Sequence, residues 1–433
     1  MDTTLKPARI CGTIDIPGSK SHTIRALLIA LFANGVSTLH NALDSQDTQA
    51  CIEFCRRLGA HIAFKTDTPV PTLVIDSSAI ASEKEKEEEI TIDCANSGTT
   101  LYLASAMCAA GCKSKSIRFT GDEQLSKRPI EPLLKSIGNL GATIVPKEAK
   151  TTPFTVQGPL NGGRTSIECR TSQYLSALLL ASPMSHGDTT IEVPLLNEKP
   201  YVKMTQWWLA KQKIDYTCND ELSLFHIKGN QRYRPFTEHI GGDYSSATFF
   251  FCAAAMTGGT ITVNGLDRND PQGDKAVLSI LCQMGCTAEW NGNSITLRGP
   301  QRLKAGEFDL NDIPDALPAL AVASCFADGK VKLYNVKQAR LKETDRIATM
   351  ARCIEGLGGN AVELDDGLEI HPVEAFHAKD IDGCNDHRIV MAMALASLRC
   401  AGSLTIRGVQ AVDVTFPTFF ELLAKVSASK ASA

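Results

Sequence analysis

Six times along the chain a short polar cluster gives way to an alanine-rich apolar stretch, then a glycine, then a run of β-type residues. The clusters contain Lys20, Asn96, Ser172, Asp243, Pro314 and His387, and the glycines are Gly35, Gly111, Gly187, Gly258, Gly329 and Gly402. Each glycine follows its anchor by fifteen positions, and the anchors recur every 71 to 76 residues. Self-similarity at a fixed period reads as repeated copies of one supersecondary unit, here six.

Within the first unit, TIRALLIALFANG sets Ile24, Leu27, Leu28 and Leu31 at helical spacing, with Gly35 as the expected left-handed stop and VSTLH as the following strand. The same pattern recurs in TTLYLASAMCAAG, YLSALLLASPMSHG, SSATFFFCAAAMTGG, DALPALAVASCFADG and RIVMAMALASLRCAG, followed by runs such as SIRF, TTIEV, TITV, VKLY and SLTI. Several of these helices are apolar all round, which predicts burial on every side. Between units, RRLGA, NLGAT, QMGCT and GLGGN close further, amphipathic helices, and the Gly pair of HIGGDY (239–244) is the best hinge candidate. A helix that is buried but starts from a polar cluster aims its unpaired N–H groups at whatever that cluster faces. Six such ends meeting would form an anion site. Simple N-capping by Ser, Thr, Asn and Asp is the competing explanation, but capping does not require Lys20, Arg25, His387 and Arg388 beside the caps.

Length and composition narrow the classes. A chain of 433 residues suffices for two or three domains at roughly 100 to 200 residues each. The 44 basic and 48 acidic residues give a formal charge of -4, so no overall basic field draws the protein to nucleic acid or membrane. Any anion site must therefore be local. The start, MDTTLKPARICG, lacks a signal-like apolar core, and no uninterrupted apolar run approaches the ~18 residues of a membrane span, so a cytoplasmic protein is expected. Fifteen cysteines, an odd number without a CxxC, read as small buried hydrophobes in a reducing compartment rather than metal ligands. The acidic run ASEKEKEEE (81–89) reads as a solvated loop.

Four motifs carry chemistry. PGSKSHTIR (17–25) places Lys20, Ser21 and Arg25 around a helix start, a point cation, a hydroxyl and a planar fork suited to phosphate or carboxylate. A nucleotide P-loop is excluded, because the GxxxxGK[ST] spacing is absent. LKETDR (341–346) places Lys342, Glu343, Asp345 and Arg346 in what reads as one helical turn, either a salt-bridged surface turn or a site. DIPDALPAL sets Asp315 at a helix start, where the dipole favours the ionised form and hence a base. NDHR sets His387 and Arg388 before a buried helix.

PGSKSHTIRALLIA, NSGTT, the KRP after GDEQLS, TSQYLSALL, KPYVKMT, GDYSSA, IPDA, LKETDR and NDHR occur in the order and spacing of the enolpyruvyl transferases. From about residue 8 to about 424 the chain resembles the 3-phosphoshikimate 1-carboxyvinyltransferase (EPSP synthase) family, and LKETDR with NDHR is its most specific combination. The resemblance implies an α/β fold, a two-domain inverse α/β-prism of six βαβαββ-type units with the active site in the cleft between domains. Domain I would be discontinuous, 1–18 plus 242–433, and domain II would be 19–241. The implied reaction transfers the enolpyruvyl group of phosphoenolpyruvate to the 5-hydroxyl of shikimate 3-phosphate, releasing phosphate, without metal or organic cofactor. The family further implies a monomer acting on small molecules.

Carried over residue by residue, the resemblance implies that Lys20 contacts both substrates and that Ser21 and Arg25 hold the shikimate carboxylate side. Thr171 and Ser172 would bind the ring phosphate, Gln173 would lie between the substrates, and Tyr201, Gln338 and Lys342 would complete the acceptor site. Asn96, Gly98 and Thr99 would form the loop near phosphoenolpyruvate, whose charges Arg128, Arg346 and Arg388 would meet. Asp315 would accept the hydroxyl proton, Glu343 would protonate the methylene carbon, and His387 would complete the catalytic shell. UDP-N-acetylglucosamine enolpyruvyl transferases commonly carry a cysteine in the loop that here reads GDEQLSKRP, which has none.

Four positions depart from the family pattern. Tyr102 stands where an Arg commonly follows the NSGT loop, Glu198 where a phosphate-binding Ser precedes KPY, Gln338 in place of an Asn, and Val414 in place of a Lys. One misplaced charge ~4 Å from a phosphate is worth about 4 kcal/mol at an effective dielectric of ~20. Glu198 is therefore expected to turn to solvent or pair with Lys199; the alternatives are a different acceptor, such as UDP-N-acetylglucosamine, or a noncatalytic anion-binding descendant.

Overall fold

The computed structural model describes residues 1–65, 68–79, 89–112 and 115–429. Residues 81–88 of the acidic run lie outside them. Twelve α-helices occur among the described residues: α1 (Lys20–Leu31), α2 (Gln46–Arg57), α3 (Gly98–Gly111), α4 (Glu131–Asn139), α5 (Ser172–Ala181), α6 (Lys199–Lys211), α7 (Tyr244–Thr257), α8 (Ala276–Gln283), α9 (Leu317–Ser324), α10 (Arg346–Gly356), α11 (His387–Ser397) and α12 (Phe419–Val426). They alternate between two roles. The six odd-numbered helices start at the repeated polar clusters and are buried almost all round; in α3, twelve of fourteen residues are buried. The even-numbered ones are more amphipathic, as α4 shows by burying Leu133, Leu134 and Ile137 while Glu131 sits exposed in its first turn. Small residues in the buried helices allow close approach of neighbours, and each interior Leu or Phe contributes about 1.5–3 kcal/mol of transfer free energy.

The chain divides into two compact units, one of Met1–Pro17 with Gly241–Ala433 and one of Gly18–Ile240. Each has its own hydrophobic core and three small sheets. The common element is a parallel strand pair joined through a buried helix: Glu89–Asp93 pairs with Ser116–Thr120 around α3, Gly163–Cys169 with Thr189–Leu196 around α5, and Gly306–Asp309 with Val331–Tyr334 around α9. An amphipathic helix and an antiparallel hairpin then complete each sheet, giving the βαβαββ order.

The remaining units vary this plan. Strand Ala8–Asp15 precedes α1 in sequence but pairs in parallel with Thr260–Asn264, after α7. Conversely, Thr237–His239 precedes α7 but pairs in parallel with Val36–His40, after α1. The first and fourth copies have thus exchanged their leading strands. The sixth sheet takes its antiparallel partner from the start of the chain, Asp2–Leu5. The six repeats and the mixed α/β class agree with the sequence pattern.

Two local expectations change. Gly35 is nearly extended (φ +159°), and the left-handed residue after α1 is Asn34 (φ +52°). Gly35 is small for another reason, since a Cβ there would lie 2.5 Å from Pro235 Cγ. LKETDR is not a helical turn. Asp345 caps α10 by accepting from Ala348 N (3.0 Å), so the helix begins at Arg346, and Lys342 to Asp345 form a non-helical connection. No described helix is long and apolar enough to cross a membrane.

Candidate active site

In the discontinuous unit, the connection before α10, the turn before α9 and the start of α11 bring six charged groups together. Arg346, 1% exposed, is the centre. Its Nε and Nη2 donate to the two oxygens of Asp386 (2.9 and 3.1 Å), Nη1 to Asp315 Oδ1 (2.8 Å) and Nη2 also to Glu343 Oε2 (2.5 Å). Asp315 sits in a 3-10 turn (Pro314–Ala316) that feeds α9, with Arg388 Nη2 at 3.1 Å and Lys342 Nζ at 3.7 Å as further partners. Three cations therefore face three carboxylates.

Burial alone would raise the proton affinity of Asp315, but Arg388, Lys342 and Arg346 outweigh it and hold the carboxyl far below the usual range. The helix start favours the same ionised form, and the cations beside it are what oppose burial. Asp386 is held low in the same way, with burial opposed chiefly by Arg346. His387, 2% exposed, keeps Nδ1 3.9 Å from Asp386 Oδ1, and its Nε2 is buried without a hydrogen-bond partner among the described residues. Burial lowers its pKa to about 3, so the imidazole is neutral near pH 7. Gln338 is buried and donates to Asn311 O (2.8 Å), beside the ion cluster in sequence but bonded elsewhere.

In the continuous unit the candidates fall into three groups. Lys20, first residue of α1, pairs with Asp47 Oδ2 at 3.0 Å. Arg25, one turn on and buried, donates to neutral oxygens: Thr205 Oγ1 (2.9 Å), Ser21 O (3.1 Å), Ser176 Oγ (3.4 Å) and Tyr201 O (3.4 Å). Burial lowers its pKa to about 10, against a smaller opposing effect of Tyr201.

The second group opens α3. Arg128 Nη2 donates to Asn96 Oδ1 (3.3 Å), and the Asn96 amide donates to Asp122 (2.7 Å) and Gln124 (2.9 Å). A Cβ on Gly98 would lie 2.6 Å from Arg128 Nη1, so glycine is what permits the guanidinium to approach the helix start. Half-buried Thr99 follows in the same turn.

The third group opens α5, where Thr171 is the N-cap and Gln173 Nε2 donates to Thr171 Oγ1 (3.4 Å). Here one branch of a sequence expectation, the turn to solvent, fails. Glu198 does not turn to solvent: it is 2% exposed, and its Oε2 accepts from Thr171 Oγ1 (3.2 Å), Ser172 N (3.1 Å) and Ser172 Oγ (2.8 Å). The physical reason is the pull of the α5 N-terminus on an anion, reached from the N-cap of α6 in a left-handed backbone conformation (φ +58°).

The other departures are bland. Tyr102 is buried in α3, donates to Pro129 O (3.2 Å) and meets Tyr174 edge-on at 5.4 Å. Val414 is half-buried at the end of a 3-10 turn (Val409–Val414). Asp243 caps α7 by accepting from Ser246 N (3.0 Å).

Sequence reasoning assigned no role to two carboxylates. Asp386 lies inside the quoted NDHR, and as N-cap of α11 it accepts from Arg388 N (2.9 Å) while bridging to Arg346. Asp47 lies in the first turn of α2 and looked like an ordinary helix-start acid. One was visible as a helix cap and the other as a first-turn acid; their cationic partners, Arg346 and Lys20, are distant in sequence.

With this arrangement in view, comparison with known proteins is specific. Residues 5–423 match the family EPSP synthase (3-phosphoshikimate 1-carboxyvinyltransferase), and the chain belongs to that family. It is 44% identical over 427 residues to the 3-phosphoshikimate 1-carboxyvinyltransferase of Acetivibrio thermocellus, covering 98% of both chains. Against that of Ruminiclostridium cellulolyticum it is 44% identical over 413 residues, covering 95% of each. A solved EPSP synthase structure from Acinetobacter baumannii superposes with a TM-score of 0.80 at 26% identity, covering 98% of each chain.

Proposed function

We propose that the protein transfers the enolpyruvyl group of phosphoenolpyruvate to the 5-hydroxyl of shikimate 3-phosphate, releasing phosphate. Family membership over nearly the whole chain supports the reaction, and the observation that carries the residue roles is the six-charge cluster around Arg346. In this reading Thr171, Ser172, Gln173, Ser21, Arg25, Tyr201 and Gln338 serve the acceptor, while Asn96, Gly98, Thr99, Arg128, Arg346 and Arg388 serve phosphoenolpyruvate. Lys20 serves the charges of both, and Lys342 completes the acceptor side.

Ionised Asp315 takes the hydroxyl proton as that oxygen attacks the enol carbon, and Glu343, entering the step as the protonated acid, gives its proton to the methylene carbon and is left as the carboxylate. The Glu343 carboxylate then takes a proton back from the new methyl group as the carbon–oxygen bond to phosphate breaks and phosphate departs, restoring the double bond. A carboxylate held so low by three cations is a poor base on its own. An arriving polyanion draws Arg388, Arg346 and Lys342 to itself, and that sharing raises the proton affinity of Asp315 when a base is needed. Neutral His387 adds no charge to this exchange. The steps use side chains alone, with no metal or organic cofactor, and the reading includes a cytoplasmic monomer.

The test is phosphate release from phosphoenolpyruvate by the purified protein. Release only in the presence of shikimate 3-phosphate is the expected result. Release driven by UDP-N-acetylglucosamine instead overturns the acceptor assignment, and binding of both substrates without turnover overturns the catalytic one.

A further inference from the structure

We propose that Glu198 sets the acceptor affinity of this protein, as an internal carboxylate that competes with the acceptor's phosphate for the first turn of α5. The proposal rests on the reading that Thr171 and Ser172 hold that phosphate.

One carboxylate oxygen, Oε2, collects a backbone N–H and two hydroxyls within 3.2 Å. That is the donor set a phosphate oxygen would use at a helix N-terminus, an N–H aligned with the positive end of the dipole and flanked by hydroxyl donors. Glu198 is nearly inaccessible to solvent, so these bonds are not the passing contacts of a surface side chain. Its left-handed backbone is rare for a residue with a side chain and occurs here at the N-cap of α6, from where the carboxylate reaches the neighbouring helix α5. A second observation lies on the same turn: Gln173 Oε1 is a buried acceptor without a hydrogen-bond partner among the described residues. A ligand bearing hydroxyl groups would satisfy it.

Two anions cannot share Ser172. A phosphate entering these donors must displace the Glu198 carboxylate, and like charges brought together at a binding site lower affinity steeply. Glu198 is thus a specificity-determining residue that weakens the acceptor complex of this chain.

Steady-state kinetics on the full chain test this. Glu198→Gln keeps the side-chain length and removes the charge, so KM for shikimate 3-phosphate should fall about tenfold while KM for phosphoenolpyruvate does not follow. Inorganic phosphate should also compete with the acceptor at lower concentration in the variant. Glu198→Ser is the second variant if the amide fails to fold, with the same direction expected. A side chain that merely caps α5 would give an unchanged or higher acceptor KM, which overturns the proposal. Ser172→Ala separates the two layers. If it raises the acceptor KM while Glu198→Gln leaves it unchanged, the phosphate reading stands and the competition fails; if Ser172→Ala changes nothing, the phosphate reading itself falls. Comparable turnover of unphosphorylated shikimate would mean that Glu198 replaces the phosphate rather than competing with it, and would also overturn the proposal.

Discussion

Gly98 and His387 show how single residues tie local geometry to measurable behaviour. A methyl group at position 98 would meet Arg128 Nη1 at 2.6 Å, so Gly98→Ala must push the guanidinium away from the start of α3. Fully folded Gly98→Ala with a KM for phosphoenolpyruvate raised about tenfold is the expected outcome; an unchanged KM would detach Arg128 from that substrate. His387 gives a pH signature. Its folded pKa of about 3 lies below the ordinary value of 6.5, so between those values the unfolded chain binds more protons and stability rises with pH. The stabilisation is fully present above pH 6.5 and is lost as pH falls toward 3, at about 1.4 kcal/mol per unit of depression. His387→Gln should flatten this part of a denaturation-versus-pH curve, and an unaltered slope would contradict the burial argument. At this scale the sequence showed Gly98 and His387 as motif members. It did not show Glu198 bonding to Ser172, because that contact depends on a left-handed backbone and on two helices meeting.

Helices α10 and α11 are held together by Asp386, which caps one and bridges to the first residue of the other. Removing the carboxylate leaves Arg346 buried with less compensation, and breaking a buried pair from one side costs about 3–5 kcal/mol. Asp386→Ala should lower stability by that order in chemical denaturation and also depress turnover, since Arg346 orients Asp315 and Glu343. Asp345→Ala is the control. It removes a helix cap and an ion pair to Arg340 (2.7 Å), with about 1 kcal/mol expected. Equal losses from the two variants would contradict a special role for Asp386. Helix existence was legible from periodicity for all six buried helices, because an apolar run of that length with a polar start has few other outcomes. The start of α10 differs from the sequence expectation: LKETDR has helical composition, but Asp345 is the N-cap and the helix begins at Arg346.

Across the whole molecule, six copies of one unit carry unequal duties. Five of the repeated clusters supply candidate chemistry, while in the fourth Asp243 caps α7. The repeat period was readable in the sequence because it depends on local pattern alone. The exchange of leading strands between the first and fourth copies was not, since parallel pairing of Ala8–Asp15 with Thr260–Asn264 joins segments about 250 residues apart. The central claim is that the Arg346 cluster supplies the acid and base for enolpyruvyl transfer. Single-turnover phosphate release at saturating phosphoenolpyruvate and shikimate 3-phosphate, for the native protein and for Asp315→Asn and Glu343→Gln, tests it most directly, with calorimetry reporting substrate binding. The account predicts rates reduced by ~10² to 10⁴ with both substrates still bound. Native rates in either variant would contradict it.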